Sequence, residues 1–192
     1  SLAPSEATDF EKFEGNAQGF RIITRLQMPD NPGLRMTCAT LGAFSKYPRG
    51  STCDSGGHTG ASVKKFGAFQ AELPFLSEVA QRCGLPPRGK DCWVRHPLAF
   101  LVEAADDICY RLVDFEDGFR LGHLSYEEVF ESFLRVTGNP KDRDGAERMR
   151  ERKNRIAFLR AQAIGATVAQ TAAAFLERDA ALLTGEFDEP LL

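Results

Sequence analysis

A chain of 192 residues is long enough to bury one sizeable hydrophobic core, and its length predicts a single domain. The formal net charge of −3 gives no indication of a nucleic-acid or membrane partner. The five cysteines form no C-x-x-C pair, which argues against a disulfide framework and favours reduced thiols in a cytoplasmic protein. No apolar run has the length of a membrane span, and we expect neither a membrane anchor nor a signal peptide.

The N-terminal half contains three segments with helical periodicity. Apolar side chains at spacings of three and four residues predict helices over residues 9–28, 34–47 and 70–83. The glycine-rich stretch 50–62 predicts a loop, and it lacks the glycine and lysine spacing of a P-loop. This half is therefore predicted to consist of helices joined by irregular segments.

The central segment, residues 95–119, predicts one helix with Pro97 near its first position, where the missing N–H costs nothing. An apolar stripe and an acidic stripe lie on different sides of this helix. The predicted apolar stripe consists of Leu98, Leu101, Ala105, Ile108, Leu112, Phe115 and Phe119. The acidic stripe consists of Glu103, Asp106, Tyr110, Asp114 and Asp117.

The C-terminal half also has helical signals. Ser125 and Glu128 form a capping box that predicts a short helix ending near residue 136. Residues 139–145 predict a polar linker, and residues 146–183 predict a long helix that Gly165 could break. No alternation of polar and apolar residues is long enough for a sheet, so the predicted class is all-α, a multi-helix bundle.

The acidic stripe of the central helix has two explanations. A solvated face is the ordinary one. Apolar residues border this stripe, however, and no lysine or arginine lies between Arg95 and Arg111. Clustered acids on a helix that is packed on most sides indicate a metal or proton-transfer site, although no histidine stands at ligand spacing from Asp106. The arginine-rich start of the last helix also has two explanations. It is either a solvated face or the binding partner of a phosphate chain.

Three sequence blocks together resemble one family, the deoxyguanosine-triphosphate triphosphohydrolase-like branch of the HD-domain hydrolases. The first is Phe13-Glu-Gly-Asn-Ala-Gln-x-x-Arg21, and the second is Lys46-Tyr-Pro with a later Lys65-Phe-Gly-x-Phe69. The third is Glu103-Ala-Ala-Asp-Asp-Ile-x-Tyr110. The resemblance implies a partial HD-domain-like helical bundle and an enzyme that hydrolyses a dNTP to a deoxynucleoside and inorganic triphosphate.

The resemblance also implies a role for individual residues. Asp106 is similar to the final aspartate of the family's H…HD…D metal set, which holds a divalent ion such as Mg²⁺ or Mn²⁺. Tyr110 and Asp114 resemble the tyrosine and aspartate that contact the deoxyribose and its 3′ hydroxyl. The positions that resemble phosphate or substrate contacts are Asn16, Lys46, Tyr47, Lys65, Arg152 and Arg160.

The chain departs from the family pattern at its beginning. The family's first histidine and its His-Asp pair precede the block at Phe13, and nothing similar to them stands in the residues before it. We therefore expect residues 1–192 to be one helical domain from a longer hydrolase, with catalytic residues outside this sequence. On this expectation the chain alone binds metal weakly and turns over no dNTP.

Two other functions remain open at this point. Another HD phosphohydrolase, acting on cyclic dinucleotides or guanosine polyphosphates, is the second enzymatic hypothesis, and Tyr110 with Asp114 disfavours it. A helical regulatory or assembly module without catalysis is the third. Some members of the family bind single-stranded nucleic acid and assemble as oligomers. We expect a homo-oligomer here, whereas no basic and aromatic stripe supports a nucleic-acid partner.

Overall fold

The computed structural model describes residues 3–27, 30, 33–54 and 56–192. Within these ranges the chain forms nine α-helices and one two-stranded antiparallel hairpin, which confirms the predicted all-α class. The chain divides into two compact units, one of Ser1–Glu103 with Arg178–Leu191 and one of Ala104–Glu177 with Leu192. The single domain expected from length stays a prediction.

The first unit begins with two short helices where the periodicity predicted a single one over residues 9–28. Helix α1 covers Pro4–Glu11 and helix α2 covers Gly15–Arg21, with a π-helical turn at Ile22–Leu26. The prediction of one helix was wrong because Glu14 is extended and caps α2, its carboxylate accepting the Asn16 backbone N–H at 3.3 Å. Met28, the last residue of the predicted helix, lies outside the described residues.

Helix α3 covers Cys38–Phe44, which is much shorter than the helix predicted over residues 34–47. Thr37 is extended and caps its N-terminus by accepting the Thr40 backbone N–H, while Gly33 and Leu34 form a turn and Arg35 has a positive φ of 51°, so the helix cannot begin earlier. At the other end the chain leaves the helix at Ser45 and continues towards Pro48, a residue that disfavours helix in its predecessor. Lys46 and Tyr47 therefore lie in an irregular segment.

Helix α4 covers Leu73–Arg82 and confirms the predicted third helix in a shortened form. After it, strand β1 at Pro87–Gly89 pairs with strand β2 at Cys92–Trp93 in an antiparallel hairpin that the sequence pattern did not indicate. Burying a large apolar side chain contributes about 1.5–3 kcal/mol, so the cluster around α4 stabilises this unit. Its buried members are Phe20, Leu41, Ala68, Leu73, Leu76, Val79, Ala80 and Trp93.

Helix α5 covers Pro97–Arg120, so the predicted central helix and the position of Pro97 at its first residue are confirmed. The predicted apolar stripe was only half right. Ile108 and Leu112 are buried as expected, but Leu98, Ala105 and Phe115 are exposed and Ala104 is buried instead. On a helix with many apolar residues, spacings of three and four residues are compatible with two neighbouring apolar stripes. The residues that pack against α5 determine which of these stripes is buried.

In the second unit, helix α6 covers Tyr126–Thr137 and has the predicted capping box. Glu128 accepts the Ser125 backbone N–H at 2.8 Å, and the Ser125 hydroxyl accepts the Glu128 backbone N–H at 3.2 Å. These two bonds satisfy donors that a helix start otherwise leaves unpaired. The side chains of the second unit's core are Ile108, Leu112, Val129, Phe130, Phe133, Ala146, Ile156, Leu159 and Ala163.

The polar linker predicted over residues 139–145 was wrong, because helix α7 covers Lys141–Glu147. Its first turn is stabilised by Asn139, whose side-chain oxygen accepts the Lys141 backbone N–H at 3.2 Å, and Ala146 is buried in the core. Helix α8 covers Arg152–Glu177 and continues through Gly165, so the long helix starts later and ends earlier than predicted and has no break at that glycine. Helix α9, Asp179–Thr184, belongs to the first unit.

None of the helices within the described residues is both long and apolar enough to cross a lipid bilayer.

Candidate functional site

Two of the predicted substrate-binding residues of the first unit share a partner, Glu14. The Asn16 side-chain amide donates to Glu14 Oε1 at 2.7 Å, and the Lys65 ammonium lies 3.7 Å from the same oxygen. The Glu14 side chain is only 15% exposed, whereas that of Lys65 is 53% exposed. The carboxylate therefore holds Asn16 and Lys65 beside each other, although they stand 49 positions apart in the sequence.

The two lysine blocks of the sequence also meet in this unit. Gly67, in the block that follows Lys65, lies so close to the Tyr47 carbonyl oxygen that a Cβ atom at that position would overlap it. Its backbone N–H donates to the Arg49 carbonyl at 3.0 Å, and the neighbouring Gly50 and Ala68 form a parallel bridge. The missing side chain of Gly67 is thus what lets the two blocks approach.

Lys46 and Tyr47 are half-buried, and Arg95 holds both of them. The Arg95 Nε–H donates to the Lys46 carbonyl oxygen at 2.8 Å, and its guanidinium carbon lies 5.7 Å from the centre of the Tyr47 ring. The other two guanidinium nitrogens donate to Glu103, so this member of the acidic stripe is paired with a buried arginine and is not a solvated carboxylate. Arg95 was not among the predicted site residues, because a lone arginine before a helix has no distinctive spacing.

The acidic stripe on α5 keeps its remaining members at the surface. Asp106, Tyr110 and Asp114 are exposed and follow one another at four-residue spacing, so their side chains lie on one face of the helix. Tyr110 is 64% exposed, which is unusual for a tyrosine and leaves both its ring and its hydroxyl accessible to a ligand. These three residues belong to the second unit.

The two predicted arginines of α8 have partners within the second unit. The Arg152 guanidinium carbon lies 4.8 Å from the centre of the Tyr126 ring, and Arg152 also pairs with Glu127 at 3.8 Å. Arg160 pairs with Glu116, a buried carboxylate that Arg120 also contacts at 2.8 Å. The contact with the buried Glu116 stabilises the packing of α8 on α5, whereas the exposed Arg152–Glu127 pair contributes little. A role of either arginine in binding phosphate stays a prediction.

The described residues do not by themselves fit a divalent metal ion. They contain no group of three or more histidine, cysteine, aspartate or glutamate side chains that could hold one. Magnesium takes six ligands, mostly oxygens that include waters and substrate phosphates, and the single carboxylate of Asp106 supplies one of them.

A buried group of charged and polar side chains surrounds Asp188 in the first unit. No sequence pattern indicated this residue. Burial alone raises the pKa of this carboxyl, but hydrogen bonds from Ser62, His58 and Arg88 outweigh burial and bring the pKa below its usual value. The Ser62 hydroxyl donates to Asp188 Oδ2 at 2.6 Å, and an Arg88 nitrogen donates to the same oxygen at 2.7 Å. Ser62 is only 1% exposed, and the lowered pKa makes Asp188 a weak base, so the cluster is a buried structural group and not an accessible nucleophile.

Comparison with known proteins gives the chain several relatives, although no family model matches it. A deoxyguanosinetriphosphate triphosphohydrolase-like protein from Synechocystis sp. is 44% identical over 200 residues, covering 100% of this chain and 44% of that protein. A protein of the same name from Pseudomonas aeruginosa is 40% identical over 196 residues, covering 96% of this chain and 42% of its own length. A deoxyguanosinetriphosphate triphosphohydrolase from Enterobacter sp. is 29% identical over 203 residues, covering 96% of this chain and 38% of its own length.

The chain thus spans less than half the length of these curated relatives. The matches run over nearly all of its residues, so they include the three sequence blocks that suggested the family. The resemblance found from those blocks is confirmed, and the chain is therefore a homologue of one portion of the deoxyguanosinetriphosphate triphosphohydrolase-like family.

Proposed function

We propose that the protein carrying this chain hydrolyses a deoxynucleoside triphosphate to a deoxynucleoside and inorganic triphosphate. The observation that carries the proposal is the meeting of the two lysine blocks in the first unit, where Gly67 packs on the Tyr47 carbonyl and Glu14 joins Asn16 to Lys65. The names of the relatives support the same substrate class.

The cations of these blocks suit a polyphosphate. A nucleoside triphosphate carries about four negative charges, and hydrogen bonds between lysine or arginine and phosphate oxygens are stronger than neutral ones. Lys65 is exposed, and its only described partner, Glu14 at 3.7 Å, is at the long end of an ion pair. A phosphate oxygen could therefore replace this contact with a closer one, while Asn16 keeps its own bond to Glu14.

The exposed face of α5 supplies the groups proposed to contact the sugar. Tyr110 offers a ring that can pack on the deoxyribose and crowd a 2′ hydroxyl, and Asp114 offers a carboxylate that can accept the 3′ hydroxyl. Asp106 is proposed as one ligand of a divalent ion in the whole protein. Because the described residues contain no cluster of three ligating side chains, no reaction step is assigned to that ion.

A product assay tests the proposal. The full-length protein is incubated with each of the four common dNTPs, with GTP and with a cyclic dinucleotide, in the presence of Mg²⁺ or Mn²⁺, and the products are separated by anion-exchange chromatography. We expect equal amounts of deoxynucleoside and inorganic triphosphate from at least one dNTP, and little product from GTP. Release of a nucleoside monophosphate with pyrophosphate, or activity only on a cyclic dinucleotide, would assign a different hydrolase. No product from any of these would favour a helical module without catalysis.

A further inference from the structure

Arg95 is the largest of the side chains that are almost completely buried, with a relative exposure of 1%. Burying a guanidinium is costly unless its donors find acceptors. Here each of the three nitrogens donates to one of two partners. Nε donates to the Lys46 carbonyl at 2.8 Å, Nη1 donates to Glu103 Oε2 at 2.7 Å, and Nη2 donates to Glu103 Oε1 at 3.3 Å. A second carboxylate, that of Asp188, lies 3.8 Å from Nε and adds to the charge balance.

Two aromatic rings lie close to the same guanidinium. Its central carbon is 5.7 Å from the centre of the Tyr47 ring and 5.2 Å from that of Phe100. Both distances are within the range of a cation–π contact. One rigid planar group thus contacts the main chain of Lys46 and the side chain of Tyr47, and it is itself fixed to α5 through Glu103.

The segment that Arg95 holds has little regular structure of its own. It lies after the end of α3, and it is also anchored farther along the chain, where the Arg49 guanidinium donates to the carbonyls of Val63 and Cys53 and the backbone makes two contacts with the strand β2 region. The Trp93 backbone N–H donates to the Pro48 carbonyl at 3.0 Å, and Arg49 forms an antiparallel bridge with Cys92. The Lys46 carbonyl therefore depends on a side chain for its position, because no helix or strand includes it.

From this geometry we propose that Arg95 is a positioning residue for phosphate binding, setting Lys46 and Tyr47 through the Lys46 carbonyl and the Tyr47 ring. The proposal rests on the proposed function, in which these two residues contact the substrate's phosphates. Arg95 contacts the main-chain carbonyl of Lys46, so the side-chain ammonium of Lys46 can interact with other groups. A lysine at position 95 could not replace it, because an ammonium lacks the planar fork that reaches the carbonyl and both carboxylate oxygens together.

The test compares the wild-type full-length protein with Arg95→Lys and Glu103→Gln. Steady-state kinetics give kcat and KM for the dNTP, and competition experiments give the inhibition constants of inorganic triphosphate and of the product deoxynucleoside. For Arg95→Lys we expect KM and the triphosphate inhibition constant to rise about tenfold or more, the usual effect of losing a hydrogen bond to a charged group. The inhibition constant of the deoxynucleoside stays at its wild-type value. Glu103→Gln keeps one acceptor for Arg95 and changes the same two constants by a smaller factor.

Arg25→Lys is the matched control, because Arg25 also pairs with a buried carboxylate, Glu72, at 3.4 Å, lies outside the three family blocks and contacts neither Lys46 nor Tyr47 in the described interactions. This variant lowers the thermal midpoint and leaves both inhibition constants unchanged. A folded Arg95→Lys protein with an unchanged triphosphate constant would overturn the proposal, as would equal increases in both constants. If Arg95→Lys does not fold, Glu103→Gln decides by the same criteria.

A failure of the proposed function can be distinguished from a failure of the positioning role of Arg95. In that case the wild-type protein releases no triphosphate from any dNTP, and calorimetric titration with inorganic triphosphate replaces the kinetic readout. Weaker triphosphate binding by Glu103→Gln than by the wild-type protein then supports the positioning role of Arg95. Equal binding by the two proteins, or no binding by the wild-type protein, contradicts it.

Discussion

At the scale of single residues, neighbouring side chains of the same type have different surroundings. Lys64 and Lys65 are both exposed, but only Lys65 pairs with Glu14 among the described contacts. Glu14 in turn binds Asn16, so Lys65 stands beside another predicted substrate contact. The two lysines therefore make a matched pair for testing which cation binds phosphate.

We expect Lys65→Gln to raise the KM for a dNTP about tenfold, because the variant loses a charge-assisted hydrogen bond to a phosphate oxygen. Lys64→Gln removes the same charge one position earlier and should change KM by less than about twofold, since an exposed charge without a fixed partner contributes little. Initial rates of triphosphate release by the full-length variants measure both effects. Equal increases in KM would mean that the charge of the region matters and the position of Lys65 does not.

At the scale of elements, two glycines differ in the reason for having no side chain. At one a side chain would clash with a neighbour, and at the other the glycine only lowers helix stability. Gly67 lies against the Tyr47 carbonyl without room for a Cβ atom, whereas a Cβ atom added to Gly165, inside α8, would have no neighbour within 4 Å outside its own helix backbone. The two positions therefore predict stability changes of opposite sign for the same substitution.

Gly165→Ala should stabilise the protein by about 0.5–1 kcal/mol, because alanine has the higher helix propensity and no neighbour is displaced. Gly67→Ala should destabilise it by about 1–3 kcal/mol, the usual cost of forcing extra volume into a packed contact. Urea denaturation followed by circular dichroism gives both free energies of unfolding. A neutral Gly67→Ala variant would show that the Lys46–Tyr47 segment moves aside easily and that its contact with Gly67 is not needed.

At the scale of the whole chain, the first unit is built from two distant stretches of sequence. Residues 178–191 join residues 1–103 in this unit, and Asp188 is the buried carboxylate that connects them through Ser62, His58 and Arg88. The Asp188 side chain is 5% exposed and that of Arg88 is 11% exposed, so the pair is shielded from water. Breaking a buried pair by removing one charge costs about 3–5 kcal/mol.

Because the pKa of Asp188 is lowered in the folded protein, its stabilising contribution is complete above the usual carboxyl value of 3.8 and is lost as the pH falls through the folded value. Asp188→Asn keeps the shape of the side chain and removes the charge, so it should lower the free energy of unfolding at pH 7 by about 3 kcal/mol. The difference between wild type and variant should narrow below about pH 4. Urea denaturation at pH 7 and at pH 3 measures it, and a difference that is independent of pH would contradict the ionic role.

The sequence by itself determined the helical class, the extent of α5 and the start of α6. Pro97 and the Ser125–Glu128 capping box act within one turn of the helix that they begin, so their effect can be predicted without knowing the rest of the chain. The three blocks that suggested the family were likewise visible in the residues, and the relatives confirmed the family resemblance.

Only the tertiary structure decided which of two apolar stripes on α5 is buried, that residues 141–147 form a helix, and that Gly67, Arg95 and Asp188 are structural partners of distant segments. The contacts of Gly67 with Tyr47 and of Asp188 with Ser62 join groups 20 and 126 positions apart. Helix propensity and periodicity describe neighbours within about two turns, so contacts at such separations are outside their reach. The chain's local chemistry sets where helices begin, and the packing of distant segments sets which side chains can share a site.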